Sequence, residues 1–162
     1  MIESLNTLTS YLSFKLGDET FAANVSKVLN ILEMTKITKV PKAPAYMKGV
    51  INLRGTVLPL IDTRIKFGLT PTEFTPNTCI LVLDIQIGDD SVHLGALVDS
   101  VQEVLEIEPQ QILPAPNIGT KFHSDFICGM YKINEEQFIM ILDMDKVFTV
   151  EELKHVQETT IV

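Results

Sequence analysis

The sequence predicts an all-β protein with short helices, in which two similar small barrels or sheets pack together. Three observations support this class. Short runs of alternating apolar residues recur along the chain, and each ends at a turn rich in glycine, proline or acidic residues. The second half repeats the first at offsets of 71 to 80 residues. Two apolar runs, 50–53 and 56–61, flank Arg54-Gly55, which predicts a hairpin at the centre of the first half.

The first half opens with a second predicted hairpin. Residues 11–16 alternate, so that Leu12, Phe14 and Leu16 share one face, and 17–19 form the turn into 20–23. The segment 25–32 follows Asn24, which can cap a short helix. Its apolar spacing fits a helix, whereas its β-branched residues leave a strand possible.

A predicted strand at 35–40 ends at Pro41 and Pro44, because proline removes a ladder donor. A helical turn at 45–48 leads into the central hairpin. After the hairpin, Asp62 can cap a helical turn that runs through Phe67 and ends at Gly68. The proline-containing loop 69–77 is the best candidate boundary between the two halves.

The second half carries the same landmarks. A strand at 78–87 turns at 88–90 into 92–98, Pro114 follows Pro41 by 73 positions, and Gly129 follows Gly49 by 80. We therefore expect one domain over 1–162, with barrel one at about 11–68 and barrel two at about 78–148. Exchange of strands between the barrels is left open. A capping box at 149–152 predicts a C-terminal helix at about 150–158.

Arg54 is a cation at the tip of the central hairpin, and it is either a solvated turn residue or a recognition group. The equivalent turn of the second half reads Asn134-Glu135-Glu136, so the repeated unit does not need Arg-Gly in order to fold. A feature that one copy carries and the other lacks favours recognition. A planar guanidinium pairs with a carboxylate in a geometry that lysine cannot reproduce.

The charge balance argues against several classes of partner. The chain has 13 basic and 21 acidic residues, a net charge of −8, with no evident Lys/Arg cluster. Nucleic acid and anionic membranes are therefore poor partners. No apolar run approaches the roughly 18 residues of a membrane helix, and the N-terminus does not resemble a secretory signal. We expect a cytoplasmic protein whose two cysteines, Cys79 and Cys128, are free thiols.

No motif predicts catalysis, a metal or a cofactor. His93, His123 and His155 lack the spacing of a metal site. The sequence contains no nucleophile elbow and no phosphate-binding glycine loop. We therefore expect no enzymatic activity, no cofactor and no catalytic or metal-binding residue.

An ordered set of motifs covers almost the whole chain, roughly 11–148, and resembles the CheW family of chemotaxis coupling proteins. The motifs are Lys27-Val28-x-x-Ile31, Val40-Pro41-x-Ala43-Pro44, Lys48-Gly49-Val50-x-Asn52-Leu53-Arg54-Gly55, Pro59-x-x-Asp62, Val98-Asp99-x-Val101 and Pro114-Ala115-Pro116. Each motif is weak alone, but the ordered set is highly specific.

The resemblance implies two tandem SH3-like five-stranded β-barrels. It also implies a non-enzymatic adaptor that joins chemoreceptor cytoplasmic tips to the regulatory domain of the histidine kinase CheA, in receptor arrays on the inner face of the membrane without insertion into it. By motif match, receptor binding falls on the hairpin turn and on an apolar groove between the barrels. The implied receptor-binding residues are Arg54, Asn52, Gly55, Val50, Ile51, Val98 and Val101. The implied kinase-binding residues are Lys27, Val28, Asn30 and Ile31.

Two departures from the family pattern leave alternatives open. Asn30 stands where an acidic residue is common, and Ser100 replaces a frequent glycine. The first departure bears on the identity or strength of the kinase partner, so an adaptor of an auxiliary chemosensory system, such as one controlling pili, is the alternative. A small-ligand sensor is a remote alternative that would need convergent polar groups in the groove.

Overall fold

The computed structural model describes residues 8–115, 126–148 and 152–153, and strands dominate these ranges. The strands are β1 (Thr9–Leu16), β2 (Glu19–Asn24), β3 (Val28–Glu33), β4 (Met47–Leu53), β5 (Thr56–Asp62), β6 (Cys79–Ile87), β7 (Asp90–Val98), β8 (Ser100–Ile107), β9 (Ile112–Leu113), β10 (Ile127–Lys132) and β11 (Phe138–Leu142). The α-helices are α1 (Thr63–Lys66) and α2 (Met144–Val147), and the 3-10 helices are Val25–Lys27 and Pro109–Gln111.

The described helices are all short. None of them has the length and apolar character needed to cross a membrane. Glu152 and Leu153 are helical, and Leu153 is buried against the main core. The rest of the helix predicted at 150–158, with most of its capping box, lies outside the described residues.

Two sheets form the fold, and the predicted all-β class is confirmed. One sheet has the strand order β8-β1-β2-β11-β10-β9, and the other has the order β3-β6-β7-β5-β4. We call them the six-stranded and the five-stranded sheet. The six-stranded sheet exceeds the expected five strands because the two-residue strand β9 pairs with β10.

Each sheet combines strands from both halves of the chain. The hairpin β1–β2 lies between β8 and β11, while the hairpin β6–β7 lies between β3 and β5. The division into 11–68 and 78–148 therefore describes the repeat in the sequence and not the composition of the sheets. The exchange is possible because the outer edges of each half's first hairpin find their hydrogen-bond partners in the other half.

The repeat is reproduced in detail by the backbone. Gly49 and Gly129 each follow a register shift in the second hairpin of their half. The amides of Asp62 and Asp143 donate to the carbonyl oxygens of Tyr46 and Phe126 respectively, at 2.7 Å in both cases. Both aspartate side chains also cap the short α-helix that follows. The two halves are thus copies of one structural unit.

Three local predictions need correction. The helical turn predicted at 45–48 is a turn at 45–46 only, and 47–48 already belong to strand β4. Asn24 does cap a helix, but that helix is a single 3-10 turn, and residues 28–33 continue as strand β3. The segment predicted as a strand at 35–40 makes only an isolated bridge between Thr38 and Val50. Pro41 and Pro44 limit the pairing of this segment because they lack backbone donors.

The core has two parts. The larger part lies between the sheets and contains Phe14 and Leu16 from β1 together with Leu81 and Leu83 from β6. The smaller part lies within the five-stranded sheet and includes Ile80 and its neighbours of the same face. Because β6 contributes to both, its residues 80–83 are buried in succession.

Candidate protein-binding site

The turn that carries Arg54 is a two-residue connection between β4 and β5. Leu53 and Thr56 pair directly, and the φ angles of Arg54 and Gly55 are 52° and 86°. The Asn52 side-chain oxygen accepts a hydrogen bond from the Gly55 amide at 2.8 Å. Arg54 thus shares the left-handed backbone conformation that glycine adopts more readily. Arg54 is exposed and forms no ion pair within the described part of the chain.

The other residues assigned to receptor binding do not form one surface. Ile51 is 2% exposed and Val98 is fully buried, so these two side chains support the fold from the core. Val50 and Val101 are half-buried, and both pack against the core between the sheets. Of the residues assigned to receptor binding, only the turn residues 52, 54 and 55 are exposed to solvent.

An apolar groove lies where the end strand β3 of the five-stranded sheet approaches the end strand β8 of the other. Its lining consists of Leu12, Val25, Val28, Leu29, Asn30, Ile31 and Val104. Large apolar side chains are exposed to solvent here: Leu29 to 46%, Ile31 to 48% and Val104 to 57%. Exposed apolar clusters are typical of binding surfaces, so the groove is a candidate site.

This groove differs in composition from the one expected at Val50, Ile51 and the 98–101 segment. It contains Val28, Asn30 and Ile31, for which the family resemblance implies kinase binding. Leu29 and Val104 were not predicted as site residues, although their apolar character was visible in the sequence. The structure brings them together because β3 and β8 occupy equivalent places in the two copies.

Lys27 faces a carboxylate rather than open solvent. Its ammonium lies 2.7 Å from Asp145 of α2, and the same carboxylate accepts a hydrogen bond from the Gln86 amide at 2.9 Å. Only 23% of the Lys27 side chain is exposed. Lys27 therefore joins the first half of the chain to the second, and a partner that used this cation would have to compete with Asp145.

A second ion pair also joins the two halves of the chain, between Arg64 of the first half and Asp99 of the second. The Arg64 guanidinium lies 2.5 Å from Asp99, which also accepts a hydrogen bond from the Gly17 amide at 2.6 Å. Arg64 additionally donates to the carbonyl oxygen of Thr70 at 2.8 Å. These charges are matched within the fold, so they leave the turn cation Arg54 as a more accessible recognition group.

The histidines, cysteines and acidic residues that the structure describes were the candidates for a metal or reactive site. They contain no group of three or more side chains able to hold a metal ion. His93 lies 3.6 Å from Asp84, its cross-strand neighbour, whereas His123 and His155 lie outside the described residues. Cys128 is exposed as a residue, but partial burial of its thiol raises the pKa, with a further contribution from Asp143, and this disfavours a reactive thiolate.

Comparison with known proteins places the chain in one family. The family model for the CheW-like domain matches residues 10–152. The chain is 37% identical over 141 residues to the chemotaxis protein CheW of Rhizobium meliloti, covering 87% of this chain and 88% of that protein. It is 33% identical over 143 residues to the chemotaxis protein CheW of Klebsiella aerogenes, covering 88% and 83%.

A solved structure shows the same fold. The crystal structure of the scaffolding protein TtCheW from Thermoanaerobacter tengcongensis matches with a TM-score of 0.76 and 28% identity, covering 90% of each chain. Sequence and structure thus agree over the same span, which includes both sheets and the central hairpin. The chain belongs to the CheW family.

Proposed function

We propose that this chain is a non-enzymatic scaffold that couples the cytoplasmic tips of chemoreceptors to the regulatory domain of the histidine kinase CheA. The observation that carries the proposal is the open apolar groove between the two sheets, in a chain of the CheW family. Its relatives are named as chemotaxis proteins, and its structural neighbour is described as a scaffolding protein. A scaffold needs surfaces for at least two partners, and it acts in the cytoplasm at receptor arrays.

The groove fits an amphipathic helical partner. Six of its seven lining side chains are apolar, and Asn30 is the remaining one. A helix that lays its apolar face into such a groove gains affinity from the area removed from water. The same composition disfavours a small-ligand sensor, because a ligand site needs several convergent polar groups. We assign the groove to the receptor tip.

Arg54 is proposed as a second receptor contact that fixes the orientation of the tip. In the strand order of the five-stranded sheet, the Arg54 hairpin β4–β5 stands at one end and the groove strand β3 at the other. The contribution of Arg54 to binding can therefore be measured separately from that of the groove. A guanidinium on an exposed turn can form a bidentate pair with a carboxylate of the partner.

The first experiment is a titration of labelled protein with a receptor signalling tip and, separately, with the CheA regulatory domain. Arg54→Glu should weaken receptor binding by about tenfold or more and leave kinase binding unchanged, because charge reversal replaces attraction by repulsion. Lys132→Glu, at the exposed end of β10, is the charge-matched control. Equal receptor binding by wild type and Arg54→Glu would refute the role of Arg54.

A second variant tests the groove. The resemblance assigned Val28, Asn30 and Ile31 to the kinase, whereas we propose the receptor tip as the occupant of the groove that they line. Ile31→Glu places a charge in the apolar lining and should abolish one binding arm. Loss of receptor binding alone would support our assignment, and loss of kinase binding alone would overturn it in favour of the motif. Tight receptor binding with no binding to CheA would support an auxiliary chemosensory kinase instead.

A further inference from the structure

A basic segment runs along the five-stranded sheet, although the chain is acidic as a whole. None of the 21 acidic residues lies between Glu33 and Asp62, whereas five of the 13 basic residues do. These five are Lys36, Lys39, Lys42, Lys48 and Arg54. Because the net charge is −8, this stretch is a local reversal of the sign of the surface.

Three of these lysines recur at every third position, and we call them the basic row: Lys36, Lys39 and Lys42. All three are exposed. Ile37, which follows Lys36, packs against the smaller core, and Val40, which follows Lys39, packs against the larger one. These two contacts attach the segment to the rest of the fold. Among the described residues, none of the three has an ion-pair partner.

The basic row lies beside β4. Thr38 and Val50 exchange two backbone hydrogen bonds, at 2.9 and 2.8 Å, in an antiparallel bridge. The bridge is isolated, so it fixes the position of this segment beside β4 without extending the sheet. Lys48, in contrast, is half-buried and lies over the Phe74 ring, 5.4 Å from its centroid.

The backbone gives an independent indication that these cations have a role. Lys42 and Arg54, with φ angles of 62° and 52°, are the two non-glycine residues of positive φ in the described ranges. Both are exposed cations of the basic segment. Glycine or asparagine would adopt this conformation with less strain. Strained residues concentrate at functional sites, so a cation held at both positions points to a use for the charge.

We infer that the basic row binds an acidic segment of a protein partner. An extended anionic surface such as a membrane also faces the rest of the molecule, where 21 acidic residues stand against eight basic ones (13 − 5). A short acidic segment feels chiefly the cations within about 8 Å at physiological salt. The row is separate from both the apolar groove and Arg54, so it is a third surface beyond those of the proposed coupling function.

The test uses a fluorescent deca-glutamate peptide and fluorescence anisotropy with the full chain. The variant carries Lys36→Gln, Lys39→Gln and Lys42→Gln and retains Arg54. The control carries Lys15→Gln, Lys132→Gln and Lys146→Gln, which makes the same change in net charge elsewhere. The row variant should bind about tenfold more weakly than wild type, and the control should stay within about twofold. Binding should also weaken between about 50 and 200 mM salt.

Three outcomes would overturn the inference. Equal losses in the row variant and the control would mean that only net charge matters. Row-dependent binding to vesicles of equal parts phosphatidylglycerol and phosphatidylcholine, without peptide binding, would assign the row to a membrane. Salt-sensitive self-association that the row variant abolishes, without peptide binding, would assign it to a second copy of the chain. Because every variant retains Arg54 and the groove, none of these results bears on receptor coupling.

Discussion

Replacement of Arg54 by asparagine should stabilise the protein while removing the cation that we propose for receptor binding. At a φ of 52°, a residue with an ordinary side chain is strained by about 1–2 kcal/mol. Asparagine tolerates this region, and Asn-Gly is a favoured pair for a two-residue hairpin turn. The Arg54 side chain is exposed, so little packing is lost. We expect the free energy of unfolding to rise by about 1 kcal/mol, which corresponds to a melting temperature about 2–4 °C higher.

Urea unfolding followed by circular dichroism measures this change. Arg54→Ala is the matched control, because it removes the same charge and keeps a side chain that is strained at positive φ. The comparison of asparagine with alanine therefore isolates the backbone term from the charge. If Arg54→Asn were no more stable than Arg54→Ala, the backbone strain inferred at this turn would be refuted. A stabilised variant that has lost receptor binding would show that the turn is kept for recognition.

Three further predictions concern the fold. Gly49→Ala should lower the free energy of unfolding by about 3 kcal/mol in urea denaturation, because its Cβ would collide with the carbonyl oxygen of Thr38. The control is Gly88→Ala, whose Cβ would meet no atom within 4 Å. This control should lower the free energy of unfolding by only about 1 kcal/mol. Alkylation of Cys128 by iodoacetamide can be followed in a variant whose other described cysteine, Cys79, is replaced by serine. The pH midpoint of the reaction should be higher in the native than in the unfolded protein, because partial burial raises the pKa of the Cys128 thiol. An unshifted midpoint would contradict this. Fragments made by cutting within 69–77 should each be unfolded alone and fold when mixed, as followed by circular dichroism, because each sheet needs strands from both; independent folding of either fragment would contradict the exchange.

Local elements were the most predictable part of the fold. The alternation at 11–16 and the Arg54-Gly55 turn determine their hairpins through neighbouring residues alone, and both are present. The segment after Asn24 was ambiguous because its spacing fits a helix and its β-branched residues fit a strand. Pairing of β3 with β6, far away in the chain, determines the outcome. The exchange of strands was likewise undetermined, since a repeat shows which segments are alike and not which ones pair.

The candidate site was predicted in part. The position and exposure of Arg54 follow from the turn itself, so the sequence was sufficient. The groove was not located, because its lining joins β3 to β8 across the two sheets, and such a contact depends on the strand order. The burial of Ile51 and Val98 was hidden for a similar reason. Each lies in a strand with apolar residues on both faces, so alternation does not reveal which side chain meets solvent.

The charges that join the two halves also favour the exchanged arrangement over the alternative in which each half closes on itself. Arg64 of the first half pairs with Asp99 of the second, and Asp145 of the second half pairs with Lys27 of the first. Asp145 follows Arg64 by 81 positions and Asp99 follows Lys27 by 72, so the two contacts occupy nearly equivalent places with opposite polarity. If each half closed on itself, Arg64 would meet Lys27 and Asp145 would meet Asp99. A partly exposed pair contributes only about 1 kcal/mol, but both attractions would become repulsions at once, so the difference between the two arrangements is larger than either pair alone provides.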